Sequence, residues 1–180
     1  MTATKAIPVK RLLSAQAYQL IDREIAKYPA DQKQSAVMGA LTIAQDEVGW
    51  VSPAVIEDVA DYLSMPPIAV YEVATFYNMY NLEEVGTWKI GVCTCLPCAL
   101  REGDKAGEYL KQKLGIDFGE TTPDGRFTLI ETECLGSCAD APICLINDKR
   151  VESFMDNAKL DALIDELRNK ERHCPWTGTC

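Results

Sequence analysis

The sequence predicts an α+β chain: a helical bundle over the first half, then an α/β domain built on a small mixed sheet. Three observations predict it. Between Leu13 and Phe76 apolar residues recur at helical spacing. Beyond Gly86, short apolar runs alternate with amphipathic stretches in the order β-α-β-β-α. Two cysteine clusters then follow two of those runs directly, where loops leave strands. With Gly86 ending the helical part, the boundary falls near residue 85. The expected organisation is a helical region 1–85, an α/β domain 86–170 and a tail 171–180.

Taken in order, the first helix places Leu13, Ala17, Leu20, Ile21 and Ile25 on one stripe and is closed by Pro29. The second uses Val37, Leu41, Ala44 and Val48, with Gly49 as its C-terminal stop. Ser52-Pro53 supplies an N-cap followed by a proline at the first helical position, and Val55, Ile56, Val59, Ala60 and Leu63 form the buried face behind it. Pro66-Pro67 restarts the chain into a fourth helix carrying Val70, Val73 and Phe76. The aromatic group Phe76, Tyr77 and Tyr80 could stack on a cofactor, but helical aromatics more commonly serve core or interface. The second half reads as strand 88–93, helix 99–113, strands 126–132, 143–147 and 150–153, and helix 157–169. Leu100, Ala106, Tyr109, Leu110 and Leu114 give helix 99–113 its buried stripe. Leu160, Leu163, Ile164 and Leu167 do the same for the last helix. Asn147-Asp148 between two short apolar runs is a hairpin signal.

Composition narrows the class. At 180 residues the chain is long enough for a real core, and 47% apolar with 25% charged residues is ordinary for a globular protein. A net charge of −9 argues against a nucleic-acid binder, which would carry a basic stripe. No apolar run approaches the roughly 20 residues that span a bilayer, so membrane association would go through a partner. The N-terminus holds Lys5, Lys10 and Arg11 with no apolar core of a signal, and reads as a flexible arm. Eight cysteines without a secretory signal point to a reducing compartment and to metal or redox chemistry. No G-x-G-x-x-G loop follows a strand, so nothing here binds a dinucleotide, and the sequence offers no catalytic residues of its own.

The chemistry sits in Cys93-Thr94-Cys95-Leu96-Pro97-Cys98 and Cys134-Leu135-Gly136-Ser137-Cys138. Read as C-x4-C and C-x3-C, these supply four thiolates, the number an iron–sulfur cluster uses. Gly136 and Ser137 are small enough for backbone N–H groups to approach the sulfurs. Two other readings stay open at this point. Cys95-Leu96-Pro97-Cys98 is also a C-x-x-C, the spacing of a dithiol–disulfide couple, though it leaves Cys134 and Cys138 without a role. Zinc also takes four thiolates, but more commonly from C-x2-C pairs. Cys144 lies in an apolar strand and is expected to be a small buried hydrophobe. In the tail, His173, Cys174 and Cys180 could form a metal site or a disulfide, although a polar segment ordered by a partner through Trp176 fits better.

The two clusters in combination carry a resemblance. C-x4-C with Glu133-Cys134-Leu135-Gly136-x-Cys138-x-x-Ala141-Pro142, the upstream run Tyr71 to Tyr77, and Asp124-Gly125-Arg126-Phe127 are similar to the thioredoxin-like 2Fe–2S subunit of respiratory NADH:quinone oxidoreductase (complex I). The resemblance runs from about residue 15 to 170. It implies a thioredoxin-like α/β domain and a 2Fe–2S cluster held by Cys93, Cys98, Cys134 and Cys138. It also implies partner subunits: a flavoprotein that binds FMN and NADH, and further iron–sulfur subunits of complex I. The assembly would be peripheral to the cytoplasmic side of the inner membrane. Similar subunits serve NAD-dependent formate dehydrogenase and NAD-reducing hydrogenase. Four thiolates on two ferric ions and two sulfides leave a formal charge of about −2, so a low-potential one-electron site is expected. Glu131 and Glu133 would lower it further if they lie close.

Overall fold

The computed structural model describes residues 11–170, and these divide into two compact units between Glu84 and Val85. Lys5, Lys10 and the metal, disulfide or anchor readings of His173, Cys174, Trp176 and Cys180 lie outside the described residues.

The first unit is helical: α1 (Ala15–Ile25), α2 (Val37–Val48), α3 (Pro53–Leu63) and α4 (Pro67–Phe76). Each start has a local cause. Ser14 caps α1 by accepting from the Ala17 N–H, and Ser52 caps α3 by accepting from Val55 N–H with Pro53 behind it. Gly49 ends α2 at φ +99°, a left-handed conformation that glycine adopts without a Cβ clash. Ile21, Leu41, Ala44, Val55, Val59, Leu63 and Val70 form one core between these helices. Within it sits a fully buried carboxylate. Asp58 accepts from Arg11 Nη1 at 2.9 Å, from the Leu12 N–H at 3.2 Å and from the Tyr18 hydroxyl. The Arg11 guanidinium also lies over the Tyr18 and Tyr62 rings, with Nη2 2.7 Å from Asp61. Burial and the donated bond to Asp58 push the Tyr18 hydroxyl up to about 12.

Three expectations for this unit need correction. Arg11 is not part of a free arm, since these bonds tie it to α3. Val48 is largely exposed, because the helix ends beside it at Gly49. Phe76 is 78% exposed rather than core. Two residues beyond the buried Ala74, it has turned about 200° around the helix and faces outward. Of that aromatic group Tyr80 alone is buried, its hydroxyl donating to the Met38 carbonyl.

The second unit is a four-stranded mixed sheet in the order β2-β1-β3-β4: β1 (Trp88–Cys93), β2 (Phe127–Thr132), β3 (Ile143–Ile146) and β4 (Arg150–Ser153). β1 pairs parallel with β2, in register from Trp88↔Phe127 to Cys93↔Thr132, and antiparallel with β3. The β3–β4 hairpin turns through Asn147, Asp148 and Lys149 between the paired Ile146 and Arg150, with Asn147 and Asp148 at positive φ. Helices α6 (Gly103–Leu114) and α7 (Asn157–Asn169) share one core with alternate strand residues Ile90, Val92, Phe127, Leu129, Cys144 and Ile146. Cys144 is fully buried there, and burial raises its thiol to about 12.

The helix expected over 99–113 begins later, at Gly103, and a separate short helix precedes it. A four-residue α5 (Leu96–Ala99) ends before Glu102, which sits at φ +70°, and α6 then begins at Gly103. Leu100, expected in the buried stripe, is 78% exposed because it lies in this break. The Asp124-Gly125-Arg126-Phe127 motif has a structural use. Asp124 accepts from Thr122 and from the Arg126 N–H, Gly125 turns the chain, and Arg126 reaches the end of α7. Its Nη2 donates to the carbonyls of Leu167, Arg168 and Lys170, covering oxygens that the helix leaves unpaired. Arg126→Ala is expected to cost about 2 kcal/mol. Faster amide exchange in the last turns of α7 would report it.

Candidate metal centre

The parallel register places both cysteine loops at one end of the sheet, because β1 and β2 finish side by side at Cys93 and Thr132. The first loop turns straight from Cys93 into α5. Cys93 and Cys98 are buried at 1% and 2% exposure in a small apolar group with Ala141 and Ile143. Cys98 shares a hydrogen bond with Cys93 and receives the Ile143 N–H. Burial nevertheless pushes the Cys98 thiol up to about 11. Cys95 precedes α5 at the rim of the loop, its thiol raised by burial and by its contact with Cys93.

The second loop leaves β2 and folds over through Gly136, whose φ of +77° again asks for glycine. Its N–H donates to Cys134 and is the main cause that lowers that thiol. The exposed Cys134 and the half-buried Cys138 stand with their sulfurs 3.6 Å apart. A disulfide would need about 2.05 Å. Two sulfurs on one tetrahedral ion, with bonds of about 2.3 Å, stand about 3.8 Å apart. The 3.6 Å separation matches that geometry and equally a direct thiol–thiol contact. The loops are joined above the strands by Thr94, which donates to Glu131, and by Glu133 Oε2, 3.9 Å from Cys95 Sγ. The Cys138 thiol is raised first by its hydrogen bond with Cys134 and then by burial.

Among the described residues no three of His, Cys, Asp and Glu gather around a single ion. A binuclear cluster asks for less at each ion: two protein thiolates, with inorganic sulfide completing the tetrahedron. Two thiol pairs, rather than one group of four, suit that donor set. The backbone donors at Gly136 and Ile143 fit it as well, since they stabilise negative sulfur.

Sequence reasoning missed Gly103. A Cβ on it would come within 2.9 Å of the Cys98 carbonyl group and 3.0 Å of the Cys93 oxygen. Those neighbours are backbone atoms of the first loop and cannot swing away. Gly103→Ala is expected to displace that loop and destabilise by about 2 kcal/mol, the cost of overpacking. Lower iron content after reconstitution, with unchanged helix content by circular dichroism, would check it.

A mixed sheet with a βαβ unit, and two thiol pairs on the loops at its end, defines a small thiolate-rich protein of the thioredoxin-like α/β class. The chain belongs to the thioredoxin-like [2Fe-2S] ferredoxin family, whose model matches residues 21–168. It is 46% identical over 151 residues to an NADH-quinone oxidoreductase subunit of Rickettsia conorii, covering 83% of this chain and 90% of that protein. It is 40% identical over 152 residues to the mitochondrial NADH dehydrogenase [ubiquinone] flavoprotein 2 of Dictyostelium discoideum, covering 84% of this chain and 61% of that one. Among solved structures, the air-oxidised NAD+-reducing [NiFe]-hydrogenase superposes with a TM-score of 0.66 at 22% identity. The match spans 78% of this chain but about a quarter (24%) of the hydrogenase chain, and it speaks for the fold alone.

Proposed function

We propose that this chain is the 2Fe–2S electron-transfer subunit of an NADH:quinone oxidoreductase, with Cys93, Cys98, Cys134 and Cys138 as its ligands. The pairing of the thiols at and just after adjacent parallel strand ends carries this reading, and the 3.6 Å Cys134–Cys138 spacing fits it. A bound cluster supplies a one-electron acceptor, which complements a flavin that receives two electrons as hydride. The chain's own part is to hold four sulfurs, bury the first pair and aim the Gly136 and Ile143 N–H groups at the charge. The flavin and NADH sites belong on a partner subunit, and other iron–sulfur subunits complete the assembly. No described helix is long and apolar enough to cross a membrane. Attachment to the cytoplasmic face of the membrane would then run through those partners.

The relatives support the quinone-linked host over a hydrogenase or formate dehydrogenase, since the Rickettsia oxidoreductase subunit matches along nearly its whole length. A thiol–disulfide role for Cys95 and Cys98 fits less well. A reactive dithiol needs a low-pKa, accessible attacking thiolate, whereas burial raises the Cys95 thiol as well as that of Cys98. Anaerobic absorption and EPR spectra with iron and sulfide assays test the reading. About two irons and two sulfides per chain, with a paramagnetic signal on reduction at low potential, are the expected result. Metal-free protein carrying a Cys95–Cys98 disulfide after reconstitution would reject it. Co-purification with a flavoprotein and quinone reductase activity identifies the host.

A further inference from the structure

We propose that Glu131 and Glu133 form an acidic bracket that positions the first cysteine loop and holds the midpoint potential of the site low. The proposal rests on the ligand assignment above. β2 carries Glu131 near its end, and Glu133 is the first residue beyond that strand. Both are directed at the first loop. Glu131 accepts from the hydroxyl of Thr94, the residue between Cys93 and Cys95. Glu133 adjoins Cys134 in the chain and stands 3.9 Å from Cys95 Sγ. Glu131 thus ties the end of β2 to the first loop, and Glu133 brings the second loop against it.

The two contacts have separable parts. Holding Thr94 needs an acceptor, and an amide oxygen would serve as well as a carboxylate. The negative charge is surplus to that structural task, and it acts on the redox step. Reduction adds one electron to a site that is already negative, with no bond made or broken. Nearby carboxylates raise the energy of the reduced form more than the oxidised one. Gly136 and Ile143 N–H groups oppose them. Glu133 lies at an exposed edge, so salt weakens its share.

The test is a dithionite titration of the reconstituted full-length chain, followed by EPR. In E131Q and E133Q the midpoint should move positive, further in the double variant and furthest in E133K. The shift caused by the Glu133 variants should shrink as ionic strength rises. E131A should alter the line shape by freeing Thr94, whereas E131Q should leave it unchanged. A double glutamine variant that titrates at the wild-type midpoint with a full signal overturns the proposal. A wild-type chain that takes up no cluster overturns the ligand assignment instead, and the bracket with it.

Discussion

Serine at Cys134 or at Cys138 should leave the reconstituted chain without its reduced EPR signal and with iron retention lowered more than ~100-fold. Residues that merely touch a metal ligand already cost about 10–100-fold, so a ligand itself must cost more. These two positions give the clean test because they are exposed to half-buried and their loop carries little of the core. Serine at Cys93 or Cys98 should do the same, with some loss of stability added because both are buried. Cys95→Ser and Cys144→Ala should keep the signal. Cys95 sits at the rim beside Cys93, and Cys144 points into the core shared with α6 and α7. A signal lost in Cys95→Ser but kept in Cys93→Ser would exchange those two assignments.

The second large effect is expected in the helical unit. Asp58→Ala removes the carboxylate shared by three donors, the Arg11 guanidinium, the Leu12 N–H and the Tyr18 hydroxyl, in an interior where Asp58 itself has no exposure. Breaking a buried ion pair costs about 3–5 kcal/mol, and the half-open position of Arg11 argues for the lower end. Amide protection in α1 and α3 should fall by roughly 100-fold, the equivalent of about 3 kcal/mol. Asp58→Asn keeps an acceptor for Tyr18 and should lose about 1 kcal/mol. Equal losses in the two variants would mean that the charge, rather than the acceptor, holds the segment.

The contrast between what the sequence discloses and what it hides follows from range. Gly49, Ser52-Pro53 and Asn147-Asp148 act within a turn of themselves, so α2, α3 and the β3–β4 hairpin were legible residue by residue. The thiols were legible as a set because metal chemistry demands particular residue types at short spacings. The break at Glu102 was not. Leu100 continues the apolar rhythm of α6, and nothing in a glutamate announces a left-handed backbone. The close approach of Gly103 to the Cys93 and Cys98 carbonyls, next to that break, is a contact of the folded loop alone. Thr94 with Glu131, and Arg126 with the end of α7, are likewise contacts across more than 35 residues that no local pattern encodes. Phe76 misled for a different reason: periodicity identifies a stripe but cannot say where the helix stops.

The sheet order also sets a timetable. β1 is made first yet lies between β2 and β3, so the strand bearing the first thiols leaves the ribosome without a neighbour. It must wait for α6 and all of β2 before a parallel partner reaches it. During that interval Cys93, Cys95 and Cys98 are unshielded, and the proposed ligand set is half made. Assembly on this set therefore has to follow the emergence of β2 and its loop, and the early thiols stay unshielded until then.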